Sequence, residues 1–242
     1  MVPTSSSSLS AHDRARLFLI AGTVLTGLLY VVPGGHYVAY PLMLLSTLAH
    51  EMGHGLTAVL TGGDFLQLEM WADGSGRATW AGDVGRIARA FVAAGGLVGP
   101  SVVAAAAFAL GRSEKGSRIG LVGIGLFLIA AMVMVVRGQF ALFFVGVTAL
   151  ICLLLALKTK PWVSQVALVF LGVQLALSVF SRGDYLFTDV ANTASGPMPS
   201  DVSHMAEALW LPYWVWGGLC GAFSILVLIL GLRGFLKKVG PA

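Results

Sequence analysis

Thr47-Leu48-Ala49-His50-Glu51-Met52-Gly53-His54-Gly55-Leu56-Thr57-Ala58-Val59-Leu60-Thr61-Gly62-Gly63 is the stretch that decides how this chain is read. It places two imidazoles and a carboxylate inside an apolar run extending from residue 41 to 61. In a helix, residues four apart share a face, so His50 and His54 can reach one Zn²⁺. Glu51, one position on, can reach a water at that metal and act as its base. Ionisable groups at bilayer depth cost kilocalories each, so their presence there points to a site rather than to packing.

Around this motif the chain is built for lipid. Of 242 residues, 57% are hydrophobic and only 11% are charged, against roughly a quarter charged in soluble domains. Apolar runs bounded by Gly, Pro or charge predict spans near 17–32, 41–61, 88–110, 119–136, 139–157, 162–180 and 210–232. Only Arg137 and Gly138 separate the fourth run from the fifth, so one of them can be short, tilted or re-entrant. The expected fold is an all-α integral membrane protein, a polytopic bundle of six or seven spans forming one domain over 17–238. A Ser-rich N-terminal tail, residues 1–16, reads as disordered, and no cleavage pattern follows the first run. Cys152 and Cys220 lie in apolar runs without metal spacing and read as buried hydrophobes. No basic patch interleaved with aromatics is present, which argues against nucleic acid as a partner, and no duplicated halves suggest a transporter.

Residues 62–87 and 181–209 are too long and polar to be simple turns. In the first, Phe65 to Trp71 alternates with period two, residues 72–76 supply turn chemistry, and Arg77 to Trp80 can return. This predicts a small β-hairpin at the membrane surface, after the motif helix. Its first strand would hold an unwound substrate segment by strand addition, with Leu66, Leu68 and Met70 as the contacting residues. Assigning Lys and Arg to alternate sides places Arg14, Arg16, Arg77, Arg86, Arg89, Arg137 and Arg182 together, seven against eight, which leaves orientation open.

The stretch Thr47 to Gly63 resembles the site-2 protease family of intramembrane zinc metallopeptidases, especially its compact bacterial members. The hairpin, the Gly-rich third run Ala93 to Pro100, and the late Ser200-Asp201-Val202 follow in the order that family shows, so the resemblance covers roughly Pro41 to Trp216. It implies zinc as cofactor, a transmembrane protein as substrate, the lipid bilayer as surroundings and a multi-pass location in a bacterial plasma membrane. It also implies an aspartate as third ligand. Pro199-Ser200-Asp201 matches the Pro-x-Asp core of the family's second motif, although Val202 replaces the usual Gly and Asn192 lies farther upstream than the pattern has it. Asp184 and Asp189 are the alternatives, His204 is an outsider, and Ser200 or Asp201 could simply cap a helix. The alternative function is a zinc-binding membrane protein without protease activity, which would have no need of Glu51.

Overall fold

The computed structural model describes residues 11–181, 183–193 and 196–237. Eight α-helices appear among them, α1 (Ala11–Val31), α2 (Gly35–Leu60), α3 (Arg86–Gly111), α4 (Glu114–Met134), α5 (Gln139–Lys158), α6 (Pro161–Ser181), the short α7 (Asp201–Leu209) and α8 (Tyr213–Leu236), with a 3₁₀ helix at Gly183–Phe187. Two antiparallel hairpins interrupt them, β1 (Asp64–Met70) with β2 (Gly76–Ala81), and β3 (Val190–Thr193) with β4 (Gly196–Pro199). Residues 1–10 of the expected disordered tail lie outside the described residues, and helix already begins at Ala11.

Among the described residues five helices are long and apolar enough to cross a membrane: α3, α4, α5, α6 with its continuation, and α8. α5 shows how such a helix packs. Ala141, Val145, Ala149, Cys152 and Ala156 are buried at helical spacing, while Phe143, Leu150, Ile151 and Leu157 face outward. Small residues let backbones approach, and the apolar exterior suits lipid. α4 and α5 are both full-length, 21 and 20 residues, so neither is the shortened run that their two-residue separation allowed. Cys152 and Cys220 are free and buried, as expected.

The first hairpin departs from its expected place. It does not lie flat on the end of the bundle but folds back along α2, where Thr47 Oγ1 donates to the Gly74 carbonyl (2.8 Å) and Tyr40 Oη to that of Ala72 (2.7 Å). The turn needs a glycine at position 74, where φ is 90°. Ser75 closes the turn through its N–H and Oγ–H to Asp73 Oδ1, and these bonds hold the Asp73 carboxyl below its ordinary range. Leu68 and Met70 are 0% and 3% exposed, in a core with Leu44, Leu48, Met52 and Val136. The outer edge of β1 is also taken. Leu68 N–H donates to the Val135 carbonyl and Arg137 N–H to that of Leu68, both at 2.8 Å. Strand backbone buried in this way is satisfied by protein rather than left to lipid.

The alternate-side assignment of Arg14 and Arg16 is overturned. Arg14 pairs with Glu114 at 2.6 Å and Arg16 donates to the Leu236 carbonyl, so α1 begins at the end of the bundle opposite the hairpin. α2 ends at the hairpin, so α1 and α2 together carry the chain from one end to the other only once. Pro41 lies inside α2, where it removes a helical hydrogen bond.

Candidate metal centre

α2 positions the motif as helical spacing requires. The rings of His50 and His54 meet edge to face, 4.7 Å between centroids, with their Nε2 atoms 3.1 Å apart. His54 Nδ1 lies 2.8 Å from the Val92 carbonyl of α3. That acceptor fixes the tautomer, because Nδ1 must carry the proton and Nε2 is left with its lone pair free.

α3 can come this close only because both helices are thin at the crossing. A Cβ at Gly53 would stand 2.2 Å from the Gly95 carbonyl oxygen, and one at Gly99 2.8 Å from that of Ala49. Gly96 has a sharper role, since a Cβ there would lie 2.1 Å from His54 Nε2 itself. Gly96→Ala is therefore expected to turn the imidazole away and weaken metal binding by about tenfold or more. Metal titration checks this, with circular dichroism confirming that helicity is kept.

A carboxylate from α7 joins the two imidazoles. Asp201 Oδ2 is 3.1 Å from His50 Nε2 and Asp201 Oδ1 is 3.3 Å from His54 Nε2. The donor atoms of the three residues all lie within 4.8 Å of one another. Donors about 2.0–2.1 Å from a tetrahedral zinc stand about 3.3 Å apart, which these spacings approach. Oδ2 is buried and has no hydrogen-bond partner among the described residues despite its short distance to His50. A buried carboxylate oxygen left in this state is costly unless something else satisfies it, and two imidazoles with one carboxylate form a donor set suited to zinc.

Of the competing aspartates, Asp189 is engaged elsewhere. Asp189 Oδ1 accepts from Ser203 Oγ at 2.5 Å, and its carbonyl accepts from Ser200 N–H and Ser203 Oγ. The Asp184 side chain lies outside the described residues. Ser200 is the cap of α7, accepting from Ser203 N–H at 3.3 Å, which frees Asp201 at the first helical position. His204 is half-exposed, 3.8 Å from Glu207, and the side chains of His12 and His36 lie outside the described residues.

α7 is held by Arg86 of α3. Its guanidinium stacks on Trp210 (3.8 Å to the ring centroid) and donates to the Glu207 carbonyl (3.2 Å). This supports the left-handed φ of 63° at Trp210, a conformation with a cost for a bulky residue.

A cavity of about 410 Å³ opens onto His50, Glu51, His54 and Asp201. Its other walls include Tyr185, whose ring meets His50 edge-on at 6.0 Å. Glu51 is buried, 7% exposed, under β2, where a Cβ at Gly76 would stand 2.7 Å from Glu51 Cγ. The hairpin wall is β2, through Gly76, Arg77, Ala78 and Trp80, together with Trp71 next to the end of β1. Leu66, Leu68 and Met70 do not line the cavity. Leu68 and Met70 face the core because the period-two pattern marked the buried side of β1. Tyr185, Gly96 and the Val92 carbonyl were not singled out from sequence, where only the small-residue spacing of Gly95 with Gly99 and of Gly53 with Gly55 hinted at a close approach.

No curated protein and no solved structure matches this chain. A family model described as Peptidase M50B-like matches residues 20–231. With that match over most of its length, the chain belongs to the Peptidase M50B-like family, a site-2 protease family.

Proposed function

We propose that the protein is an intramembrane zinc metalloprotease hydrolysing peptide bonds in or near transmembrane segments of other membrane proteins. His50, His54 and Asp201 hold the zinc, and Glu51 is the base. The observation that carries this is the convergence of the three donor groups beside a buried carboxylate at one cavity. The bundle that carries it makes six traverses, five by the apolar helices and one by the α1–α2 pair, and residues 17–238 form one membrane-embedded unit.

Zinc bound there would polarise the scissile carbonyl and acidify water. Every other step belongs to the chain. Val92 holds the His54 tautomer that presents Nε2, and Asp201 supplies the compensating negative charge. Glu51, buried against β2, takes the proton from water and later delivers it to the leaving amine. The walls of the cavity limit the water that can compete.

The substrate backbone lies along β2. Leu68 directs its N–H and carbonyl away from the hairpin, so its cross-strand partner Ala78 directs its own pair outward on the cavity side. An unwound segment pairing with Ala78 passes within reach of Glu51, because Gly76 sits on that side chain. Ala78→Pro removes one outward donor without breaking the hairpin ladder. Cleavage of a model single-span substrate is expected to fall by roughly tenfold, with zinc content unchanged. Equal loss of both would make β2 merely structural. Zinc analysis of the purified protein, followed by substrate cleavage with and without chelator, tests the function as a whole.

A further inference from the structure

Across His50 from the large cavity lies a second, much smaller one. It has a volume of about 40 Å³ and is lined by Ser46 of α2, Ser178 of α6 and Ser224 of α8, together with His50 and Tyr185. His50 and Tyr185 also line the large cavity, so this pair of rings, edge-on with centroids 6.0 Å apart, stands between the two spaces. Hydroxyls from three helices converging inside an apolar bundle are costly unless each finds a partner. Ser178 Oγ–H donates to the Leu175 carbonyl at 2.8 Å. Ser46 and Ser224, 4% and 1% exposed, have no hydrogen-bond partner among the described residues.

The two imidazoles of the metal centre are held unequally. His54 has the Val92 carbonyl at its Nδ1, while its Nε2 faces His50 and Asp201. His50 makes both of its polar contacts through Nε2, to His54 at 3.1 Å and to Asp201 Oδ2 at 3.1 Å, and no protein group among the described residues meets its Nδ1. A metal-bound histidine donates that second ring N–H to a carboxylate, a carbonyl or a water. Ser46 stands four residues before His50, on the same face of α2. A buried water needs about 10–15 Å³ and two to four polar partners. The small cavity has the room, and the His50 ring with the Ser46 and Ser224 hydroxyls supplies three partners.

We infer that the small cavity is a water-binding site, and that a water held there by the hydroxyls of Ser46 and Ser224 accepts the Nδ1–H of His50. That water gives its own two hydrogens to the serine oxygens, so each of the three groups gains a partner. It fixes the tautomer that presents Nε2 to the metal, as the Val92 carbonyl does for His54. Ser46 and Ser224 are thus positioning residues that act on the metal through the water and His50 and do not touch the substrate. This deepens the reading of the metal centre and rests on it, since His50 must be a ligand for its orientation to matter.

The full chain carrying Ser46→Ala and Ser224→Ala together tests this without catalysis. Zinc affinity is measured by competition with a chelator, the metal environment by the visible absorption of the Co²⁺-loaded protein, and folding by helicity and melting temperature without metal. Loss of the water is expected to weaken zinc binding by about tenfold and to shift the cobalt bands, with metal-free folding close to that of the wild type. Zinc affinity within about twofold of the wild type and an unchanged cobalt spectrum overturn the inference, because serines that only pack between helices would alter melting and leave the metal alone. Should the double variant fail to fold, each single variant is measured in the same way, with a loss of about threefold expected from either and the same null result overturning the inference. His50→Ala, run in parallel, separates the two claims. If it loses zinc while the serine variants keep it, the water site falls and the metal centre stands; if it keeps zinc, both fall.

Discussion

Glu51→Gln is expected to lower hydrolysis of a single-span substrate by roughly 10²- to 10⁴-fold while the purified protein still binds about one zinc per chain. The amide fills the same volume under β2 and cannot take a proton. Its neighbours His50 and His54 keep the Val92 anchor and the Asp201 contacts that position them. Retained activity near the wild-type level would remove Glu51 from the mechanism. Loss of zinc together with activity would instead make the carboxylate part of the metal-holding group, and the same measurement on His50→Ala gives the pattern that this outcome should match.

The membrane helices and the motif were legible because both depend on local periodicity. Apolar runs located α3 to α6 and α8 to within several residues, and a four-residue interval is enough to bring His50 and His54 together. Alternation at residues 65–71 correctly gave a strand, but alternation says only that one face is buried. It could not say that the bundle, and not a substrate, buries Leu68 and Met70, because that depends on residues 135–137 closing the edge of β1. The sidedness of the arginines failed for a related reason. Alternate counting assumes that each apolar run crosses independently, whereas α1 and α2 make one net passage. Gly96 was hidden among 31 glycines, since nothing local distinguishes the one that faces a histidine.

Asp201 tests how much of the third-ligand assignment rests on tertiary structure. Asp201→Asn is expected to weaken zinc binding more than about a hundredfold and to abolish activity, with helical content unchanged. The comparison with its neighbours gives this result its meaning. Asp189→Ala removes only a side-chain acceptor for Ser203 and is expected to cost about 1 kcal/mol of stability with zinc retained. Ser200→Ala removes the cap of α7, a loss of roughly 0.5–2 kcal/mol, and also leaves the metal in place. If Asp201 served α7 as a capping or first-turn charge, its variant would resemble Ser200→Ala, a stability defect with an occupied site. If Asp184→Ala released zinc while Asp201→Asn kept it, the orphaned Oδ2 beside His50 would have to be explained without a metal. Thermal unfolding measured with and without added zinc separates these outcomes. A ligand variant loses the metal-dependent rise in melting temperature, whereas a cap variant starts lower and keeps the rise in full.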